Sequence, residues 1–212
     1  MKPAKARDAA SLVIYQRDGE QIKVLMGRRS AKASFAPGVY VFPGGNIEIT
    51  DKNLQIPFRF DVSGLSKNAA RLLPVLAITA IRETWEETGI KVAEQVEAEA
   101  ETGPQWEGFR GPGHVPAPHR LSYLGRAITP TESRTRYHAR FFATDWKHCQ
   151  GELRSDGELS DLQWVESSNP MALPMYDVTE FMLEQLGNLL YSPTFPRPVL
   201  SYRLGHTLVR YE

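Results

Sequence analysis

The chain has 212 residues, of which 42% are hydrophobic and 24% charged, with 25 Lys and Arg against 25 Asp and Glu and a formal net charge of zero. That is enough apolar material for one large domain, or one domain with extensions, and the balanced charge gives no basic footprint for nucleic acid or an anionic membrane surface. The single cysteine, Cys149, excludes an intramolecular disulfide framework and a multi-cysteine metal site. No apolar run reaches the roughly 20 residues of a membrane span. The basic start is not followed by a long apolar segment, so a cytoplasmic protein is expected, with neither nucleic acid nor membrane as partner.

Residues 9–15 are β-branched and apolar and read as a strand. Asp18-Gly19 gives a turn, and residues 21–27 return with Ile22, Val24 and Met26 alternating. Arg28 and Arg29 close that strand. Their forked guanidiniums are candidates for a phosphate contact, with a solvated strand end as the alternative. Residues 31–38 form a loop, and residues 39–42 a strand running into Phe42-Pro43-Gly44-Gly45, a tight turn in which backbone can approach a ligand closely. Residues 48–68 are mixed and polar, anchored by Pro57, Phe58 and Phe60.

A helix is expected from about Pro74, a good first-turn residue, to Thr88, with Gly89 suited to a left-handed cap. At about 100° per residue, Glu83, Glu86 and Glu87 fall within an arc of roughly 100°, while Ile78, Ile81, Trp85 and Thr88 lie opposite. Three carboxylates on one face repel each other, and Arg82, four residues before Glu86, offsets part of this. A hard divalent cation would justify the rest; a solvated acidic face is the alternative.

Residues 91–101 are acidic and alanine-rich, and Val92, Val96 and Ala100 have helical spacing. Residues 102–120 are so dense in Gly and Pro that regular structure is not expected. A loop of that length is functional or disordered, and Trp106, Phe109 and His119 either line a pocket or pin the loop to the core. Residues 121–128 and 137–143 read as strands. Arg134, Arg136 and Arg140 are candidates for phosphate recognition, with a solvated strand face as an equal alternative. Residues 150–160 are a polar loop holding Glu152, Asp156 and Glu158, and a strand with Trp164 follows. Asp177 or Thr179 caps a last helix through Leu190, striped by Phe181, Met182, Leu186 and Leu189. Residues 191–212 form an extension that either docks on the domain or reaches a second subunit, which would make a homodimer.

Gly45 together with Arg82-Glu83-Thr84-Trp85-Glu86-Glu87-Thr88-Gly89-Ile90 resembles the Nudix box: Gly, five residues, Glu, seven residues, then Arg-Glu-aliphatic-any-Glu-Glu-any-Gly-aliphatic. Asp51 stands where the first Glu belongs, about two dozen extra residues precede the helix, and Thr84 replaces an aliphatic. Glu48 keeps the Gly-Gly-any-any-Glu spacing of many members. The resemblance implies an α/β fold, an α/β/α sandwich around a mixed sheet, spanning residues 1–190 with an insertion at about 52–73. It implies a metal-dependent pyrophosphohydrolase acting on a small-molecule nucleoside diphosphate derivative. Glu83, Glu86 and Glu87 would be the ligands of Mg²⁺ or Mn²⁺ and catalytic residues, with Glu83 or Glu158 as base. Arg28, Arg29, Gly44, Gly45 and Arg140 would bind substrate. Acids before a tryptophan-bearing strand recur in the family, which makes Glu158 the first candidate there and Glu152 the second.

A second resemblance is partial. Leu25, Arg29, Ser30, Gly38 and Phe42 to Gly45 match the pattern of the coenzyme-A-cleaving Nudix enzymes, whereas Met26, Gly27 and Ser34 depart from it, Ser34 by losing an arginine. A coenzyme A or acyl-coenzyme A diphosphatase is therefore an alternative. A non-catalytic nucleotide sensor is another, disfavoured because all three helix acids are kept.

Overall fold

The computed structural model describes residues 4–33, 36–96, 106, 109, 114–170, 173–192, 194–203 and 205–212. Among them the elements run β1 (Arg7–Asp18), β2 (Gln21–Arg29), β3 (Tyr40–Val41), β4 (Gly44–Asn46), α1 (Ile49–Asn53), α2 (Lys67–Thr88), β5 (Lys91–Gln95) and β6 (His114–Pro116). There follow β7 (Ser122–Ile128), β8 (Tyr137–Asp145), β9 (Cys149–Gln150), β10 (Leu159–Glu166), α3 (Asp177–Tyr191), β11 (Pro198–Arg203) and β12 (His206–Tyr211). The main sheet is ordered β10-β2-β1-β8-β7-β11-β12, with β3 attached to β2 and β4 to β1. It is mixed: β1 runs parallel to β8 and β11 parallel to β7, while the other pairs are antiparallel.

The side-chain alternation of a strand divides the core in two. Along β1, Ala10, Leu12 and Ile14 join Leu25 and Phe142 in one cluster with Leu76, Ala77, Ala80 and Ile81 of α2. Val13 points the other way and joins Val24, Met26 and Phe141 with Met182, Leu183 and Leu186 of α3. One helix on each face gives the expected α/β/α sandwich. No helix among the described residues is long and apolar enough to cross a membrane.

Three expectations need correction. Helix α2 begins at Lys67 and contains Pro74 in its interior, because Ser66 caps it by accepting from the Ala69 N–H at 3.4 Å, and Leu73 is buried in the core. The insertion is therefore the end of the short helix α1, a connection, and the first turns of α2. Residues 91–95 are the strand β5, flanked by β6 and β9; residues 97–101 lie outside the described residues. In the Gly/Pro-rich segment, β6 and a 3₁₀ turn over Pro118–Arg120 are regular, while residues 102–105, 107, 108 and 110–113 lie outside the described residues. Trp106 and Phe109 are fully buried, stacked edge-on at 5.0 Å, with Phe109 5.6 Å from Trp85. They pin the segment to the core.

Of the two expectations for residues 191–212, docking on the domain is the one the structure shows. They supply β11 and β12, and Glu212 pairs with Arg126 of β7 at 2.8 Å. Leu200 of β11 is 1% exposed and sits in the α3-side core. Leu200→Ala is predicted to lower the unfolding free energy by about 2–5 kcal/mol, read as a lower denaturant midpoint in urea titration. An unchanged midpoint would mean that the segment is a passive appendage.

Candidate active site

Strands β1 and β2 pair from the Asp18-Gly19 turn only as far as Tyr15↔Val24 in register, then part. Beyond that point β4 lies along β1 at Ala9 to Ser11, and β3 lies along β2 at Gly27 and Arg28. The opening leads into a cavity of about 670 Å³, lined by Glu83 and Glu86 of α2, Glu48, Glu158, Arg29, Gly44 and Gly45. Its opposite side is formed by Tyr137, Tyr176, Asp177 and Tyr202.

Arg82 organises the acids. It is 1% exposed; its Nε donates to Asp51 Oδ1 at 2.8 Å and its Nη2 to Asp51 Oδ2 at 3.1 Å. The same guanidinium reaches Glu86 at 2.8 Å, Glu83 at 3.0 Å and the Asn46 carbonyl at 2.9 Å, with Glu48 at 4.0 Å. Burial opposes its charge, and the Asp51 hydrogen bond and three carboxylates overcome that, pushing its pKa above the ordinary value. Asp51 also accepts from the Thr79 hydroxyl at 2.9 Å and from the Glu48 N–H at 2.9 Å, the latter closing a capping box on α1. The inserted residues thus leave Asp51 seated on the box helix. Thr84, in the aliphatic position, is buried and satisfied by its own helix, donating to the Ala80 carbonyl at 2.7 Å.

Glu87 is 3% exposed and accepts from the Gly44 N–H at 2.8 Å. Burial pushes its pKa up to about 8; the Gly44 hydrogen bond and Arg29 oppose this, while Glu83 and Glu158 add to it. Burial likewise raises Glu83 to about 7, against the pull of Arg82, and Glu86 also lies above its usual range through burial. Among the described residues no three acid, His or Cys side chains are already gathered around one point, because Arg82 holds Glu83 and Glu86. What fits a divalent cation is the chemistry: hard oxygen donors, Glu83 and Glu86 on the cavity wall and Glu87 buried beside Gly44, with burial raising the pKa of all three.

The glycines serve this arrangement sterically. A Cβ on Gly44 would strike the Ala10 carbonyl and Ser11, and one on Gly45 would strike the Glu83 carboxylate. They are required because β4 runs as a strand between β1 and α2; no tight turn is formed.

The remaining candidates separate clearly. Arg29 lines the cavity beside Glu87, whereas Arg28 is exposed and donates from Nε to the Gly38 carbonyl at 3.1 Å. Arg140 is 8% exposed, ion-paired with Asp8 and bonded to the His138 carbonyl at 2.7 Å, and it does not line the cavity. Arg136 ties backbone carbonyls of Thr129, Pro130 and Ala4 together, and Arg134 is exposed away from the cavity. Glu158 is at the cavity, while Glu152 is exposed outside it. His119 packs on Phe58 at 4.5 Å and contacts Glu94, apart from the site. Ser34 lies outside the described residues. The aromatic wall of Tyr137, Tyr176 and Tyr202 was not foreseen; its members come from three distant elements, and no local pattern joins them.

No protein-family model matches the sequence, and no curated protein does. Solved structures do. The chain is similar to a Nudix hydrolase from Alicyclobacillus acidocaldarius at 26% identity, with 85% of this chain and 90% of that one covered and a TM-score of 0.67. The NUDIX domain of Shewanella oneidensis NrtR, in complex with ADP ribose, aligns at 17% identity over 88% and 90% of the two chains, with a TM-score of 0.51. A MutT protein from Bacillus halodurans aligns at 17% identity over 97% of both chains, with a TM-score of 0.51. The chain thus has the fold of Nudix hydrolases, and its box-like segment lies on α2 beside the cavity.

Two outcomes test this electrostatic reading. Asp51→Asn strips the buried Arg82 of its main partner and is predicted to cost about 3–5 kcal/mol, measured by chemical denaturation. An acid with a raised folded pKa favours the folded state most when protonated. The metal-stripped protein should therefore lose stability as pH rises from about 4.5 towards 8. A smaller loss in Glu87→Gln, from melting curves across that range, would confirm the source; an identical pH profile would refute it.

Proposed function

We propose that the chain is a metal-dependent pyrophosphohydrolase that cleaves the diphosphate linkage of a nucleoside diphosphate joined to another moiety. The observation that carries this reading is the acidic face of α2: Glu83 and Glu86 line the cavity, and the neighbouring Glu87 is buried and bonded to the Gly44 N–H. Such a site is costly unless a cation completes it.

Glu83, Glu86 and Glu87 would hold Mg²⁺ or Mn²⁺, which supplies neutralisation of the phosphate charge as the bond breaks. Arg29 offers a two-pronged contact to a phosphate oxygen. Gly44 and Gly45, having no side chains, let the diphosphate lie against the backbone of β4. Glu158, at the same cavity and near enough to Glu87 to raise its pKa, would accept a proton from the attacking water, with Glu83 as the other candidate base.

Coenzyme A remains one specific substrate to test, since Leu25, Arg29, Ser30 and Gly38 keep their spacing to Phe42. Incubation with coenzyme A, ADP-ribose, NADH and nucleoside triphosphates, with Mg²⁺ or Mn²⁺ and product analysis, identifies the linkage cleaved. Glu87→Gln is expected to lose about 10²–10⁴-fold in kcat with an unchanged circular dichroism spectrum, and chelation of the metal should abolish turnover. A Glu87→Gln protein with full metal-dependent activity overturns the assignment. Binding without cleavage by the wild type would put a nucleotide sensor in its place.

A further inference from the structure

The cavity is larger than the box needs. Its acid side is carried by α2, which packs on one face of the main sheet. Its far side is carried by Tyr137 of β8, Tyr176 and Asp177 at the start of α3, and Tyr202 of β11. Helix α3 packs on the opposite face of the sheet, so the two walls face each other across the opening between β1 and β2.

The make-up of the far wall is selective. Three phenol rings, with Ile128 among them, offer flat apolar surface of the kind that stacks on a planar base. Asp177 is held in place: its Oδ2 accepts from the Tyr202 hydroxyl at 2.8 Å and its Oδ1 from the Val178 N–H at 2.8 Å. Among the described residues lining the cavity there is no lysine, and the guanidiniums are Arg29 and Arg82. Both belong to the acid side, Arg82 bound by Asp51, Glu83 and Glu86 and Arg29 beside Glu87. A phosphate monoester placed at the far wall would therefore meet a fixed carboxylate and no cation of that wall. Asp177 is exposed, so solvent screens this repulsion until a bound nucleoside displaces the water around it.

We propose that the far wall is the nucleoside subsite, that it accepts an uncharged base and sugar, and that Asp177 makes it reject a nucleoside bearing an additional 2′- or 3′-phosphate. This rests on the hydrolase reading and narrows it. The carboxylate can accept hydrogen bonds from ribose hydroxyls or an exocyclic amine, and it penalises a charged group in the same position. Coenzyme A, which carries a 3′-phosphate, is then a worse substrate than its dephosphorylated form.

The test uses matched pairs differing by that one phosphate: NADH against NADPH, and dephospho-coenzyme A against coenzyme A. Their kcat/KM values are measured with Mg²⁺ for the wild type, Asp177→Asn and Tyr202→Ala. The wild type is expected to prefer the phosphate-free member of each pair by about tenfold or more. Asp177→Asn should bring both ratios towards one, whereas Tyr202→Ala should raise KM for all four compounds with less effect on the ratio. Asp177→Ser, which keeps an oxygen able to accept from the Val178 N–H, serves if the asparagine variant does not fold.

Equal or inverted preference in the wild type overturns the proposal, as does an unchanged ratio in a folded Asp177 variant. If none of the four is cleaved, the hydrolase reading falls by itself. The subsite is then judged by calorimetric titration with ADP and 2′-phospho-ADP in Mg²⁺: tighter ADP binding that is lost in Asp177→Asn supports it, and equal affinities overturn it.

Discussion

The buried contact between Arg82 and Asp51 is the constraint on which the site depends. A guanidinium at 1% exposure needs partners for its charge and its donors. Asp51 takes two of those donors, Glu83 and Glu86 one each, and the Asn46 carbonyl another contact. One side chain thus joins α1, the end of β4 and the acidic face of α2. The short helix α1 exists locally because Asp51 and Glu48 close its capping box, so the carboxylate that fixes Arg82 also fixes the segment that delivers it.

The sheet supplies the space that this cluster faces. Had β1 and β2 stayed paired along their length, the acids of α2 would abut a closed surface. Their separation after Tyr15 and Val24, with β3 and β4 occupying the freed edges, opens the sheet without leaving those backbone groups unpaired. The glycines of β4 make the geometry feasible: Gly44 passes against β1 while donating to Glu87, and Gly45 passes against Glu83. Residues that sequence pattern marks as ligand-approach glycines are first of all the means by which three layers of backbone and acid fit together.

The acidic helix was legible because its information is local: 3.6-residue spacing separates Glu83, Glu86 and Glu87 from Ile78 and Ile81, and Gly89 ends it in the left-handed conformation with φ 76°. Strand β5 was not, since Val92 and Val96 suit a helix or an alternating strand equally; pairing with β6 and β9, remote in sequence, decides. Pro74 suggested a helix start because the cost of an interior proline is a local fact, whereas its compensation by Ser66 capping and the burial of Leu73 is not. Arg140 looked available because its partner Asp8 lies 132 residues away. The tyrosine wall was invisible for the same reason, being assembled from β8, α3 and β11 only when the sheet forms.

The two walls answer different physical problems. The α2 side accumulates negative charge beyond what Arg82 and Arg29 balance, and Glu83 and Glu87 therefore sit well above ordinary carboxylate pKa values. On the proposed reading, stability is traded there for affinity to a cation, a trade the protein can sustain because the surrounding core is apolar on both faces of the sheet. The far side carries no such excess. Its rings and the tethered Asp177 cost little to fold, since Tyr202 and the Val178 N–H satisfy the carboxylate. If the far wall is the nucleoside subsite, charge handling and recognition are assigned to opposite faces of one sheet, and a change in β11 or at the start of α3 alters what is bound while leaving the acids of α2 where Arg82 holds them.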